Sequence, residues 1–268
     1  MPNIKIVNLS FIYPDDSVII LEDINVEINS GEFVCILGQS GCGKSTLLRL
    51  LAGLEKPATG EITVNSKPIN GASLDRGVVF QDYGLFPWLT AGENIKLALE
   101  QKFKNRPKKE YKERTLHALN QVGLNEFVYN KLPKALSGGM KQRCAIAQAF
   151  AIEPSILLMD EPFGALDAVT RARLQDMLIE LWKNQNPKKT IIFVTHDVDE
   201  AILLSNRIIV LGQGRIIYEC SVPDTTREKQ FEDLEMLRLR NELIRQINRT
   251  CLQNEQIREK KNAIETSG

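Results

Sequence analysis

Apolar positions along the chain fall into two strand-like patterns and one helical one. Between residues 4 and 28 they alternate, at Ile4, Ile6, Leu9 and Phe11 and again at Ile24, Val26 and Ile28, with turn signals at Pro14-Asp15-Asp16 and Asn29-Ser30-Gly31. Alternation of period two predicts strands with one buried face, so the chain opens as an antiparallel sheet. Elsewhere the runs are apolar without interruption: Phe33 to Leu37, Gly77 to Phe80, Ile156 to Met159 and Ile191 to Val194. Such strands are buried on both faces, as in a parallel sheet sheathed by helices. A short strand at Glu61–Val64 and a turn-rich stretch from Asn65 to Asp75 separate the first two of these runs.

From Asp82 to about Ile152 the spacing turns helical. Helices are expected over Asn94–Phe103, over Pro107–Val122 with Leu116, Leu119 and Val122 on one face, and over Lys141–Ala151. Beyond them, Asp167–Lys183 places Leu174, Met177, Leu178 and Leu181 on one side of a helix. Val198–Leu204 reads as a short helix, and Arg207–Leu211 with Arg215–Glu219 as a hairpin across Gly212-Gln213-Gly214. Residues 221–268 form a charged tail in which Phe231, Leu234, Leu237, Ile244, Ile247 and Cys251 space like one docking face, with a fraying C-terminal end. The expected organisation is one α/β domain over 1–220, with a helical subdomain at about 82–152, and a helical tail over 221–268.

Composition narrows the class. With 268 residues, 43% hydrophobic and 25% charged, the chain has the make-up of an ordinary globular protein. Lys+Arg and Asp+Glu number 34 each, so no bulk field favours nucleic acid. No run reaches the roughly eighteen apolar residues that would cross a bilayer, and Met1-Pro2-Asn3-Ile4-Lys5 lacks a signal-peptide core, which predicts a cytoplasmic protein. Five scattered cysteines, none in a C-x-x-C pair, argue against zinc and disulfides. Cys35 reads as a core thiol; Cys42 is either a reactive thiol or the occupant of a tolerant position. The basic residues Lys102, Lys104, Arg106, Lys108, Lys109 and Lys112 are interrupted by Glu110 and Glu113 and read as a solvated face.

The chemistry concentrates in Gly38-Gln39-Ser40-Gly41-Cys42-Gly43-Lys44-Ser45-Thr46, which fits G-x-x-x-x-G-K-[ST] between a strand and a helix. Its glycines allow positive φ and close approach, so backbone N–H groups can surround phosphate at the positive end of a helix. Lys44 is expected on the β and γ phosphates and Ser45 on Mg²⁺. The strand Ile156–Met159 ends in Asp160 and Glu161; Asp160 would hold Mg²⁺ opposite Ser45, and Glu161 would orient and deprotonate water. Gln81 and His196 close two further buried strands, at the edge where open α/β sheets carry their ligands. Gln81 is a candidate for Mg²⁺ or the attacking water, and His196 for the γ-phosphate or a water. His117, among polar residues of a helix, reads as surface. Ser137-Gly138-Gly139 caps a helix and forms a second anion-binding apparatus. Tyr13, beside a turn upstream of the phosphate loop, is either half-buried packing or a platform for adenine.

Taken in order, these motifs resemble the ATP-binding subunit of an ABC transporter across residues 1 to 220. The resemblance implies a P-loop NTPase (RecA-like) core with an N-terminal antiparallel β subdomain and an inserted α-helical subdomain. It implies ATP hydrolysis with Mg²⁺, and two such chains clamping two ATP molecules head to tail, with Ser137-Gly138-Gly139 of one meeting the phosphate held by Lys44 of the other. It makes Gly164-Ala165-Leu166-Asp167 the D-loop, His196 the switch histidine and Tyr13 the aromatic on adenine. Gln81-Asp82-Tyr83-Gly84-Leu85-Phe86-Pro87-Trp88-Leu89-Thr90, with Met140 and Pro162–Asp167, looks like the importer branch for nitrate, sulfonate, taurine and bicarbonate. In that branch Leu85, Phe86, Pro87 and Trp88 resemble a groove wall that grips a membrane subunit; the other reading is subdomain core. Gln148 departs from the family's usual arginine.

The expected role is therefore the ATPase of an importer at the cytoplasmic face of the membrane. Its expected partners are permease subunits and a second ATPase subunit, identical or related, with a solute-binding protein served indirectly. Two rivals stand beside it: a soluble ABC ATPase acting on nucleic acid or the ribosome, and a non-hydrolysing regulatory cassette.

Overall fold

A computed structural model describes residues 3–14, 18–223 and 234–265. In chain order the elements are β1 (Ile4–Ile12), β2 (Ile19–Ile28), β3 (Phe33–Leu37), α1 (Lys44–Ala52), β4 (Thr59–Val64), β5 (Lys67–Pro68), β6 (Arg76–Val79), α2 (Ala91–Lys102) and α3 (Lys108–Gln121). There follow α4 (Gly138–Ala151), β7 (Ile156–Asp160), α5 (Ala168–Lys183), β8 (Thr190–Thr195), α6 (Val198–Leu204), β9 (Arg207–Gly212), β10 (Arg215–Ser221) and α7 (Leu234–Glu265).

Two sheets result. The alternating opening becomes an antiparallel sheet of order β2-β1-β4-β5, and the continuous apolar runs become a sheet of order β10-β9-β3-β8-β7-β6. In the second, β9, β3, β8, β7 and β6 run parallel and only β10 is antiparallel, closing a hairpin at Gln213 and Gly214 (φ 50° and 75°).

The reason for uninterrupted apolarity is visible in the packing. Successive side chains of a strand point to opposite faces. Phe33, Cys35 and Leu37 join a core shared with α2 to α7, while Val34 and Ile36 join a second core shared with α1 and the antiparallel sheet. β7, β8 and β9 divide in the same way: Met159, Phe193 and Val210 enter the first core, Leu158, Val194 and Ile209 the second.

The helical insert behaves as the spacing predicts, with one adjustment. On α3 the buried residues are Tyr111, Thr115, Ala118 and Leu119, followed by Val122, whereas Leu116 is only half-buried. The basic residues beside it are largely solvated, Lys109 facing Glu113 at 3.9 Å and Lys102 facing Asp75 at 2.8 Å.

The tail docks by a face that shares Ile247 with the one the spacing suggested but leaves Leu234 and Leu237 outside. Met236 and Leu243 are buried, Leu239 and Ile247 pack against the first core, and Leu234 and Leu237 are exposed. A helix brings residues 236, 239, 243 and 247 into one stripe; 234 and 237 lie to its side. Arg240 fixes that register by a 2.5 Å contact with Asp199. Asp15, Asp16 and Phe231, the side chain of Cys251 and the end of the tail lie outside the described residues.

Candidate functional site

Parallel packing carries the ends of β3, β6, β7 and β8 to one edge of the large sheet, and there the expected groups meet. The loop leaving β3 turns through Gly41 and Gly43 at φ 81° and 102°, a left-handed backbone that L side chains rarely adopt. Gly38 has another reason: a Cβ there would stand 2.4 Å from the Leu211 carbonyl oxygen and 2.7 Å from the Cys42 Sγ. Close approach, not positive φ, therefore demands glycine at 38. The first turn of α1 holds no acidic residue and no side chain caps it, so its N–H groups point into the loop at the positive helix end.

Lys44, 4% exposed, begins that helix. Its ammonium donates to the carbonyls of Gly38 (2.9 Å) and Gln39 (2.8 Å) and stands 3.5 Å from the Glu161 carboxylate. The Ser45 hydroxyl donates to Asp160 Oδ1 at 2.9 Å. Burial pushes the Asp160 carboxyl up, partly offset by the Ser45 hydrogen bond. An alcohol and a carboxylate, both hard oxygen donors, suit Mg²⁺.

Glu161 sits at φ 42°, an uncommon conformation for a non-glycine residue, held there by its N–H donating to Val194 O at 3.0 Å. The same backbone aims its carboxylate back at the loop: Oε1 faces Lys44 and Oε2 lies 3.0 Å from His196 Nδ1. Gln81 falls in a turn just past β6 rather than closing the strand, which ends at Val79. Even so, it lines one groove of about 360 Å³ with Tyr13, Ser40, Lys44, Ser45 and Glu161. Tyr13 is half-buried, its ring edge-on to Phe11 and its hydroxyl 3.1 Å from Thr46 Oγ1. The structure shows the packing, with the ring also lining the groove.

Burial raises the Cys42 thiol, with Lys44 acting in the opposite sense. Cys35, Cys144 and Cys220 are likewise free thiols.

The Ser137-Gly138-Gly139 segment stands apart from this groove. Ser137 caps α4, accepting from Met140 N at 3.3 Å; Gly139 leaves no room for a Cβ, which would lie 2.6 Å from Thr170 Cγ2. Asp167 caps α5 by accepting from Thr170 N at 3.0 Å. None of Ser137, Gly138, Gly139 or Asp167 lines the Lys44 groove. Gln148, where the family's usual residue is absent, keeps a buried Oε1 without a hydrogen-bond partner among the described residues.

Two polar residues that spacing did not single out organise the surroundings. Glu200, 7% exposed, accepts from Thr195 Oγ1 (2.5 Å) and Gln175 Nε2 (3.0 Å) behind His196, and burial pushes its carboxyl up. Its signal was an acid on the inward face of a short helix, beside Ala201. Asn94, fully buried, accepts from Phe86 N and donates to the carbonyls of Phe86, Leu89 and Thr90. It ties down the loop after Gln81, whose Phe86 and Trp88 are 40% and 70% exposed, their rings 5.4 Å apart. Leu85 alone of that apolar group packs against the core.

Comparison with known proteins agrees with this geometry. The family model described as ABC transporter matches residues 21–164. The nitrate import ATP-binding protein NrtD of Synechococcus elongatus is 41% identical over 244 residues, 89% of this chain and 88% of that one. The bicarbonate transport ATP-binding protein CmpD of Synechocystis sp. is 42% identical over 213 residues, 79% of this chain and 74% of that one. Among solved structures, the ATP-binding cassette MJ0796, a dimer in a post-hydrolysis state bound to ADP and Pi, superposes with a TM-score of 0.74 at 35% identity, covering 83% of this chain and 100% of that one. With a family model spanning more than half its length, and relatives this similar over most of it, the chain belongs to the ABC transporter family as an ATP-binding cassette, an ATPase.

Proposed function

We propose that this cassette drives an importer of a small anion from the cytoplasmic face of the membrane, working as one of two ATPase subunits beneath permease subunits and serving a solute-binding protein indirectly. The observation that carries the reading is the cluster at one sheet edge: Ser45 on Asp160 at 2.9 Å, and Lys44 and His196 on the two oxygens of Glu161 at 3.5 and 3.0 Å. In this scheme the loop from Gly38 to Thr46 binds the triphosphate, and Lys44 leaves its own loop carbonyls for phosphate oxygens. Tyr13 stacks on the adenine. Ser45, Asp160 and Gln81 would hold Mg²⁺, which supplies charge neutralisation on the phosphates when bound. Glu161 takes the proton of the attacking water, and His196 keeps that carboxylate aimed. Ser137, Gly138, Gly139 and Asp167, away from this groove, serve the nucleotide of a second chain.

Three features support the transport role. Relatives named for nitrate import and bicarbonate transport are similar over most of the chain, which favours a small inorganic anion as cargo. No helix among the described residues is long and apolar enough to cross a membrane, which fits a cassette working beneath separate permease subunits. The exposed Phe86 and Trp88, held out by Asn94, offer an apolar surface for a permease segment.

The test is Glu161→Gln in the complex with its permease. ATP binding should persist while phosphate release slows by about 10² or more, the scale of a lost general base. Near-normal release would remove Glu161 from that role.

A further inference from the structure

At the opposite end of the large sheet, ahead of β8, lies a hollow of about 530 Å³ between α3, the end of α4 and the chain entering β8. β8 spans six residues, so this hollow is about 20 Å of strand away from His196. We propose that it binds a small organic acid, whose carboxylate is held by the Lys189 ammonium.

Lys189 is 8% exposed, yet among the described residues its Nζ makes no hydrogen bond and no ion pair; its neighbour is the face of Phe150, 5.6 Å from the ring centroid. The carboxylates around it are engaged elsewhere: Glu153 with Arg114 at 3.5 Å, Glu113 with Lys109 at 3.9 Å, Asp75 with Lys102 at 2.8 Å. Among the described residues none of them comes within ion-pair distance of the Lys189 ammonium, although Glu113 and Glu153 line the same hollow and Arg114 also meets Glu110 at 3.1 Å. Most of the Lys189 side chain is withdrawn from water, and burial pulls its ammonium down to about 8, with Glu153 opposing the effect and Lys102 adding to it. A carboxylate entering the hollow would offset that shift.

The site is also built to hold its place. Trp182 Nε1 donates to the Lys189 carbonyl at 2.8 Å, and the next residue, Thr190, is fully buried at the start of β8. The walls explain why the occupant is organic. Phe150, Ala118 and Ala151 give an apolar side, and the polar side carries Arg114 with Lys189 as well as the carboxylates of Glu113 and Glu153. The volume is that of small-molecule pockets, many times larger than an inorganic oxyanion needs. Because α3 and the chain into β8 both contribute, an occupant would tie the helical insert to the large sheet.

The experiment uses the full chain and benzoate as probe. A brief pulse of acetic anhydride acetylates accessible neutral amines, and peptide mass spectrometry reads Lys189 against Lys109, whose side chain is 88% exposed. Benzoate should slow Lys189 acetylation by about threefold when present at about twice its Kd, leaving Lys109 unchanged, and benzamide, which has the same shape without the charge, should not protect. Equal labelling with and without benzoate, or equal protection by benzamide, would overturn the proposal. Broadening of the ¹⁹F signal of 4-fluorobenzoate by the protein should disappear in Lys189→Met; persistence of that broadening in a folded variant would also overturn it. The labelling arm needs no variant, so a folding defect in Lys189→Met leaves the test standing.

Discussion

Asn94→Leu tests whether one buried amide holds out the loop after Gln81. The carboxamide accepts from Phe86 N at 2.8 Å and donates to the carbonyls of Thr90, Leu89 and Phe86 at 2.9, 3.1 and 3.2 Å. Leucine has a similar volume and none of these contacts. With a net value near 1 kcal/mol for each hydrogen bond, and the two amide protons shared among three acceptors, the loss is about 3 kcal/mol. For a chain of this length that corresponds to a fall in Tm of roughly 6–12 °C. The two tryptophans separate the local effect from the global one, Trp88 being 70% exposed on the loop and Trp182 6% exposed in the core. In urea titrations the core signal should move to a lower midpoint. In native buffer, acrylamide quenching of Trp88 should rise as the loop loosens. Basal phosphate release should survive, because Asn94 touches none of the groove residues, whereas stimulation by permease subunits should be lost. A loss below about 1 kcal/mol with unchanged quenching would refute the idea that this amide organises the loop.

Two other substitutions probe the site and its support. Gly38→Ala puts a Cβ 2.4 Å from the Leu211 carbonyl oxygen, so the loop must shift; ATP affinity measured by fluorescent nucleotide titration should fall about tenfold or more, and unchanged affinity would show that the loop tolerates the intrusion. Glu200→Gln addresses pH. Burial raises the Glu200 carboxyl, so between the ordinary carboxylate value and the raised one the folded chain binds more protons than the unfolded chain. The stability this group contributes is complete below the ordinary value and is lost as pH rises through the raised one. Glutamine does not titrate and can still meet Thr195 and Gln175, so the variant should gain stability relative to the parent as pH rises from mildly acidic to neutral. Parallel urea midpoints across that range would contradict this account.

The reading from sequence succeeded where chemistry is written into contiguous residues. Gly38 to Thr46 carries its own loop geometry, and each apolar run that ends in a polar group, at Asp160-Glu161 or His196, delivers that group to the strand's end by the connectivity of the chain. Gln81 was placed slightly amiss because β6 ends at Val79 and the chain turns before the amide. The tail was read correctly at Ile247 but not at 234 and 237, which fit a helical spacing as well as 236 and 239 do until the core selects one stripe.

By itself, then, the sequence determined the two kinds of sheet, the helical insert and the order of the phosphate-binding groups, because periodicity and motif are local properties. The tertiary structure alone decided which face of each buried strand meets which core, that glycine at 38 answers to a carbonyl on β9, that Asn94 satisfies a loop, and that Lys189 has no ion-pair partner among the described residues. Each of these depends on atoms brought together from distant parts of the chain, and burial, unlike spacing, exists only once the chain has closed upon itself.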